Sequence, residues 1–202
     1  MSHAKRDYSK YGVPFEPREF YHIYNKAVRN DKLFYDEENY RYFLNKFHLY
    51  TREVLSVYSF CLLNNHFHFL IGIDENINSE TVSEQLRKFF ISYSKSFNKQ
   101  QNRKGTLFEK HLKRVRINSE EQLLWTIYYI HRNPVHHQIT PNYERFRWSS
   151  YPVILSEKET NLKRKEVLSL FSGKEEFIEF HQRNIRENVL SKKISFQEIE
   201  EA

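Results

Sequence analysis

Residues 54–73 read VLSVYSFCLLNNHFHFLIGI, and this stretch decides the fold. Both of its halves are apolar and rich in β-branched and aromatic residues, which is typical of β-strands. Asn64 and Asn65 between the halves are turn-forming residues. The stretch therefore predicts a β-hairpin. Because alternate side chains of a strand point to the same side, His66 and His68 share one face of the second strand.

Strand and helix patterns alternate on both sides of this hairpin, with periods of two residues for strands and three to four for helices. The predicted elements are strands at 19–26, 54–63, 66–73 and 106–117, and helices at 36–52, 79–101 and 119–132, the last of which stops before Pro134. Ser79 or Thr81 is the predicted cap of the second helix. The order β-α-β-β-α-β predicts an α+β, ferredoxin-like core, in which an antiparallel sheet carries two helices on one face and a further helix follows.

The remainder of the chain predicts a helical appendage. Its predicted segments are a loop at 141–152 and two short helices at 165–171 and 174–188, joined at Gly173. We therefore divide the chain into a core domain, residues 1–152, and a C-terminal helical extension, residues 153–202.

The composition excludes several classes of protein. A disordered chain would not carry 16% aromatic residues, and one Cys among 202 residues excludes a disulfide framework and a Cys-rich zinc site. No apolar run approaches the ~20 residues that a membrane-spanning helix requires. Residues 1–14 are polar and charged, which is not the pattern of a signal peptide. We therefore expect a cytoplasmic protein without a membrane partner.

Positive charge is concentrated in the middle of the chain. The net charge is +6, yet residues 87–116 alone carry ten Lys or Arg side chains and a single acidic one, Glu109. Aromatic residues are interleaved with these cations, a combination that suits a nucleic-acid backbone and its bases. A basic run taken alone is more often a solvated helix surface, so the charge does not establish a function by itself.

Two small groups of residues are candidates for a metal-binding or catalytic site. His66 and His68 on one strand face can bind a metal ion, although a chance His-x-His is common in a chain with ten His residues. The alternative is a pair of hydrogen-bonded, half-buried histidines. Tyr129 and Asn133 lie one helical turn apart, so that a phenol and an amide can address the same ion or phosphate. The alternative there is a core tyrosine followed by an Asn-Pro helix stop.

Taken together, these motifs resemble the single-tyrosine HUH nucleases, and among them the REP-associated tyrosine transposase branch of the IS200-like transposases. The resemblance spans residues 20–151 and rests on the order of five stretches. These are FYHIYN at 20–25, YSFCLLNNHFHFL at 58–70, GTLF at 105–108, SEE at 119–121 and YIHRNPV at 129–135. The chain departs from the family at Asn64, where Pro is usual, and at Lys26-Ala27, where Arg-Gly is usual.

The resemblance implies a metal-dependent single-stranded DNA endonuclease and strand transferase. It implies that Mg²⁺ or Mn²⁺ binds to His66, His68 and Asn133, and that Tyr129 is the nucleophile that forms a covalent 5′-phosphotyrosine intermediate. The implied partner is single-stranded or hairpin DNA, and relatives work as monomers or homodimers. The residues expected to contact the DNA backbone are Arg103, Lys104, Lys110, Lys113, Arg114 and Arg116.

Two other functions are compatible with parts of the sequence. A non-catalytic, ferredoxin-like nucleic-acid-binding protein would also present basic and aromatic residues, but it has no need of the His-x-His and Tyr–Asn pairs. A small zinc hydrolase needs a third ligand, and the other histidines on predicted strands are His22 and His111. We rank the nuclease first and the zinc hydrolase last.

Overall fold

Four strands form a single antiparallel sheet. The computed structural model describes residues 13–183 and 187–194. The strands are β1 (Phe20–Lys26), β2 (Leu55–Leu62), β3 (His66–Ile73) and β4 (Lys113–Arg116). Their spatial order is β2-β3-β1-β4, with every neighbouring pair antiparallel. This order confirms the predicted ferredoxin-like α+β core.

Two helices, α1 (Glu37–Thr51) and α2 (Ser79–Gln100), cover one face of the sheet. The apolar face of each helix packs on the odd-numbered residues of β3, and the ring of Phe47 stacks on that of Phe69 with 4.2 Å between centroids. Because neighbouring residues of a strand point to opposite sides, the even-numbered residues of β3 face away from these helices.

Two predicted details of this region are wrong. The cap of α2 is Asn78, whose side-chain oxygen accepts a hydrogen bond from the backbone N–H of Thr81 (2.9 Å), rather than either predicted residue. The predicted strand over 106–117 is reduced to β4, which begins at Lys113. His111 adopts a positive φ of 74°, and that backbone conformation interrupts an extended strand.

Helix α3 (Glu120–His136) packs on β2 and β3 at the other face of the sheet. It continues through Pro134, so the predicted stop before that residue is wrong. A proline lacks an N–H donor and its ring crowds the carbonyl group four residues earlier, but here it lies in the last turn, where the backbone N–H of His137 still reaches the carbonyl oxygen of Asn133 (3.0 Å). Asn133 is therefore held in one continuous helix with Tyr129, four residues earlier.

Several short helices follow α3. They are a 3-10 turn at Tyr143–Arg145, α4 (Ser150–Ile154), α5 (Arg164–Leu170), α6 (Lys174–Gln182) and α7 (Glu187–Ile194). The predicted loop over 141–152 is thus partly helical. The predicted helix over 174–188 ends at Gln182, and its residues 184–186 lie outside the described residues. Gly173 joins α5 to α6, as predicted, at a positive φ of 140° that favours glycine.

The C-terminal helices share an apolar cluster with α3. Phe177 of α6 and Ile194 of α7 belong to the same buried cluster as Ile127 of α3. The division of the chain at residue 152 stays a prediction. Within residues 13–183 and 187–194, no helix combines the length and the apolar surface that a membrane crossing requires.

A buried hydrogen-bond network fixes α3 against the sheet and α6. The ring of His131 contacts the hydroxyl of Ser150 through Nε2 and Nε2 of His181 through Nδ1, both at 2.8 Å. Nδ1 of His181 in turn donates to the carbonyl oxygen of Phe177 (2.7 Å). These bonds restrain the rotation of α3 about its axis, and so the direction in which Tyr129 points.

Candidate metal and nucleophile site

The residues of the predicted site meet between β3 and α3. His66 and His68 lie on the α3 side of the sheet, and their ring centroids are 5.2 Å apart. The ring of Tyr129 on α3 lies 5.6 Å from that of His68, in an edge-on orientation. The candidate nucleophile and the candidate metal ligands therefore face one another, because alternation along β3 and the rotation of α3 direct them to the same space.

His66 presents a ring nitrogen without a partner to this space. Its Nδ1 donates to the side-chain oxygen of Asn65 (2.6 Å), so the proton of the neutral ring lies on Nδ1 and a lone pair lies on Nε2. That Nε2 atom is buried and has no hydrogen-bond partner among the described residues. Leaving a buried polar atom unpaired lowers stability, so such an atom is typical of a position that binds a ligand.

Asn133 supplies a second buried polar atom without a hydrogen-bond partner among the described residues. Its amide N–H donates to the backbone carbonyl oxygen of Tyr129 (3.0 Å), while its Oδ1 is buried and unpartnered in the part of the chain that the structure describes. Asn133 also opposes the fall in the pKa of His66, so the two side chains interact, although they form no hydrogen bond with ordinary geometry. A ring nitrogen and an amide oxygen with free lone pairs thus lie in one small region.

Burial keeps both candidate imidazoles neutral. It lowers the pKa of His66 to about 3, with a smaller contribution from His137, and it lowers the pKa of His68 well below the usual value. A neutral imidazole is the form that binds a metal ion. At neutral pH both rings are therefore ready to act as ligands without first losing a proton.

These groups fit a hard divalent ion with open coordination positions. Among the described residues no group of three or more His, Cys, Asp or Glu side chains could hold a metal ion, so the candidate set is two imidazoles and one amide. Mg²⁺ and Mn²⁺ commonly keep several positions for water and phosphate oxygens. The unpartnered Nε2 of His66 and Oδ1 of Asn133 are the observation in favour of the fit.

The two adjacent tyrosines of α3 have different environments. The hydroxyl of Tyr128 donates to the carbonyl oxygen of Arg183 (2.6 Å), and its ring packs 5.8 Å from that of His181. Tyr128 therefore belongs to the core between α3 and α6. Tyr129 faces the histidines instead, with ring centroids 6.0 Å from His22 and 5.9 Å from His136.

Three neighbours of the site are missing from the sequence-based prediction. The ring of His137 lies 4.5 Å from that of His66, and the ring of His136 lies next to Tyr129. Lys26 stands directly opposite His66 in the register of β1 and β3. The two histidines directly follow the Asn-Pro-Val signature, which is a signal that could have identified them. The position of Lys26 depends on strand register, which no local motif encodes.

The predicted DNA contacts lie on two sides of the sheet. Lys113 pairs with Tyr24 across β4 and β1, so it lies on the α3 side, together with the candidate site, and it is exposed. Arg114 and Arg116 point to the opposite side by alternation. There the guanidinium of Arg114 lies 4.5 Å from the ring centroid of Phe15.

Arg103 and Arg116 are held by acidic partners. Arg103 forms an ion pair with Asp31 (2.8 Å) and is only 18% exposed in its side chain, and Arg116 pairs with Glu19 (2.7 Å). Lys104 and Lys110 are exposed. The structure therefore places Lys113 on the side of the site and ties Arg103 and Arg116 to local partners. The DNA-contact role of all six stays a prediction.

The sequence matches no family model and no curated protein. Among solved structures, the fold is similar to that of a REP-associated tyrosine transposase bound to a REP hairpin, with a TM-score of 0.63. The two chains are 13% identical, and the match covers 74% of this chain and 86% of the other. At this level of identity the similarity shows a common fold.

Proposed function

We propose that this chain is a metal-dependent single-stranded DNA endonuclease and strand transferase of the single-tyrosine HUH type, in the REP-associated branch. The observation that carries the proposal is the meeting of Tyr129, His66 and Asn133 on one side of the sheet, with Nε2 of His66 and Oδ1 of Asn133 buried and unpartnered among the described residues. The fold shared with a tyrosine transposase bound to a DNA hairpin supports it.

Tyr129 is the proposed nucleophile. Its phenol oxygen attacks the phosphorus of a DNA phosphodiester, the bond from phosphorus to the 3′ oxygen breaks, and the phosphate stays on the tyrosine through its 5′ side. The phenol loses its proton and the departing 3′ oxygen gains one. The link to tyrosine keeps the energy of the diester bond, so a 3′-hydroxyl can reverse the step and rejoin or transfer the strand without ATP.

His66, His68 and Asn133 would hold Mg²⁺ or Mn²⁺, which supplies charge neutralisation at the phosphate and orients the scissile bond. The protein's own contribution is to keep the two imidazoles neutral and their lone pairs directed into the site. It also holds Tyr129 largely out of solvent, with 7% of the residue exposed, so that the phenol approaches the phosphate from a fixed direction.

The proposed substrate is single-stranded or hairpin DNA, since a REP hairpin is bound in the similar structure. Lys113 is the cation that best fits a backbone contact next to the site, and Lys104 and Lys110 are exposed candidates farther along the same basic region. We propose that the protein acts in the cytoplasm as a monomer or a homodimer.

The two alternative functions have less support. A module of the RNA-recognition type stacks bases on an open face of its sheet, whereas here α1 and α2 cover one face and α3 packs on β2 and β3 at the other. A zinc hydrolase would need a third strong ligand, and within the described residues no third His, Cys, Asp or Glu completes a metal cluster.

The test is adduct formation with a library of DNA hairpins that carry randomised single-stranded flanks. We expect a covalent protein–DNA band on denaturing gels with Mg²⁺ or Mn²⁺, and no band with EDTA or in Tyr129→Phe. Retention of hairpins on a filter without any covalent band, across the whole library, would instead support the non-catalytic DNA-binding alternative.

A further inference from the structure

The two candidate metal-ligating histidines share one arrangement. Each directs its Nδ1 to a neighbouring side chain, so that Nε2 is the remaining ring nitrogen, and for His66 that atom is buried and unpartnered among the described residues. For His66 the neighbour is the amide oxygen of Asn65 at 2.6 Å, and for His68 it is Nε2 of His22 at 2.9 Å. His22 lies on β1, beside the strand that carries the histidine pair, and is 1% exposed.

The bond between His22 and His68 contains one proton. The two facing ring nitrogens are 2.9 Å apart, and a hydrogen bond between two imidazole nitrogens needs one donor and one acceptor. A neutral imidazole has one N–H donor and one acceptor nitrogen. Either His68 donates from Nδ1 and keeps a lone pair on Nε2, or His22 donates and His68 carries its proton on Nε2, where it would block metal binding.

The surroundings hold the His22 ring in a fixed plane. It is nearly parallel to the ring of His68, with an angle of 14° between them, and it stacks on Tyr24 at 4.9 Å. Its edge also meets the ring of Tyr129 at 6.0 Å. Because the His22 ring is restrained on both sides, its Nε2 meets His68 in one orientation. In the same way, the short turn between β2 and β3 holds the side-chain oxygen of Asn65 next to His66.

We infer that His22 and Asn65 are positioning residues: each accepts the Nδ1 proton of one candidate metal-ligating histidine and so directs the lone pair of its Nε2 into the site. This inference rests on the proposed metal-binding role of His66 and His68. An outer partner of this kind fixes both the tautomer and the ring orientation of a ligand, and its loss typically weakens metal affinity by about 10–100-fold.

The first measurement needs no metal. Nitrogen chemical shifts of the histidine rings, recorded on the metal-free protein at neutral pH, report which ring nitrogen carries the proton. We expect His66 and His68 to be protonated on Nδ1 in the wild type. A wild-type His68 that carries its proton on Nε2 would overturn the inference without recourse to any variant.

Matched variants separate the hydrogen bond from packing. His22→Phe keeps a ring next to Tyr24 but removes the acceptor, whereas His22→Gln places an amide oxygen near the former Nε2. We expect the Phe variant to give a mixture of His68 tautomers and the Gln variant to restore the Nδ1-protonated form. Cys61→Ala is the packing control, because Cys61 is buried directly opposite His68 on β2 and contributes no acceptor to it.

Mn²⁺ titration followed by electron paramagnetic resonance gives the second readout. We expect His22→Phe to bind Mn²⁺ about 10–100-fold more weakly than wild type, with recovery in His22→Gln and little change in Cys61→Ala. Asn65→Ala and Asn65→Asp form the corresponding pair for His66. Equal affinity in wild type and His22→Phe would refute the positioning role, whereas a wild-type protein that binds no Mn²⁺ would refute the proposed metal site itself.

Discussion

Two groups of buried histidines lie along α3, and they differ in how fully their hydrogen bonds are made. In the group formed by His131, His181 and Ser150, all four ring nitrogens have partners, at 2.7 to 2.8 Å. In the candidate site, Nε2 of His66 and Oδ1 of Asn133 have none among the described residues. A saturated group stabilises the fold, whereas an unsaturated one lowers stability unless a ligand supplies the missing partner.

The largest expected effect separates activity from stability at the unsaturated group. Asn133→Leu removes the unpartnered oxygen and replaces it with an apolar side chain of similar size. We expect adduct formation and Mn²⁺ binding to fall by at least the ~10–100-fold that even an outer-shell change causes. The free energy of unfolding should fall by no more than ~1.5 kcal/mol, because Oδ1 has no partner to lose among the described residues and only the bond from Nδ2 to the carbonyl oxygen of Tyr129 is removed. Urea unfolding measures the second quantity, and a loss of several kcal/mol would contradict the contrast.

The opposite result is expected at the saturated group. Ser150→Ala leaves Nε2 of His131 and the backbone N–H of Phe60 without the partner that each has at 2.8 Å. We expect the free energy of unfolding to fall by ~1–3 kcal/mol, with Mn²⁺ affinity of the folded protein preserved. A variant as stable as wild type would show that saturation of this group contributes nothing to the fold.

We expect the protein to lose stability at acidic pH in part because of His181, a member of the saturated group. Burial lowers the pKa of His181 to about 3, whereas an unfolded histidine titrates near 6.5, so the unfolded state binds one more proton between these values. The free energy of unfolding that depends on a neutral His181 is fully present above about pH 6.5. It is lost as the pH falls toward 3, by up to ~1.4 kcal/mol per pH unit.

His181→Asn should therefore reduce the slope of the unfolding free energy against pH by up to the contribution of one proton, ~1.4 kcal/mol per pH unit. Urea unfolding at pH 7, 6 and 5 measures this slope. Tyr143→Phe is the control, because it removes a hydroxyl that donates to the carbonyl oxygen of His181 (2.9 Å) but no group that titrates in this range. An unchanged slope in His181→Asn would mean that this histidine is not protonated preferentially on unfolding.

The smallest effect extends the comparison from histidines to cations. On β4, Lys113 lies on the side of the candidate site, and Arg116 lies on the opposite side in an ion pair with Glu19. We expect Lys113→Ala to reduce the slope of log affinity against log salt for single strands by ~0.7, the value for one phosphate contact, and Arg116→Ala to leave it unchanged. Fluorescence anisotropy with labelled single strands measures both, and equal slopes would remove the distinction between the two sides.

The sequence predicts what depends on local pattern. The hairpin turn, the common face of His66 and His68, and the helical spacing of Tyr129 and Asn133 follow from periods of two and 3.6 residues, and the structure has them in these positions. The ends of elements are less predictable. The alternating pattern predicts a strand from residue 106, whereas the positive φ of His111 interrupts the extended backbone and β4 begins only at Lys113.

Contacts between distant segments could not be predicted. His22 meets His68 because of the register of β1 against β3, in which Tyr24 is opposite His68, and register is set by the whole sheet. His131 finds partners on α4 and α6, whereas Nε2 of His66 finds none among the described residues. That difference appears only when the helices pack together.

The position of the covalent bond tests the central claim most directly. Trypsin releases residues 117–132 as one peptide that contains both Tyr128 and Tyr129, because no Lys or Arg lies between Arg116 and Arg132. After reaction with hairpin DNA, nuclease trimming and fragmentation of this peptide in a mass spectrometer, we predict that the nucleotide remnant is attached to Tyr129. Tyr128→Phe should keep this adduct, with a stability loss of only ~1 kcal/mol for its hydrogen bond. A remnant on Tyr128, or on any residue outside this peptide, would contradict the account.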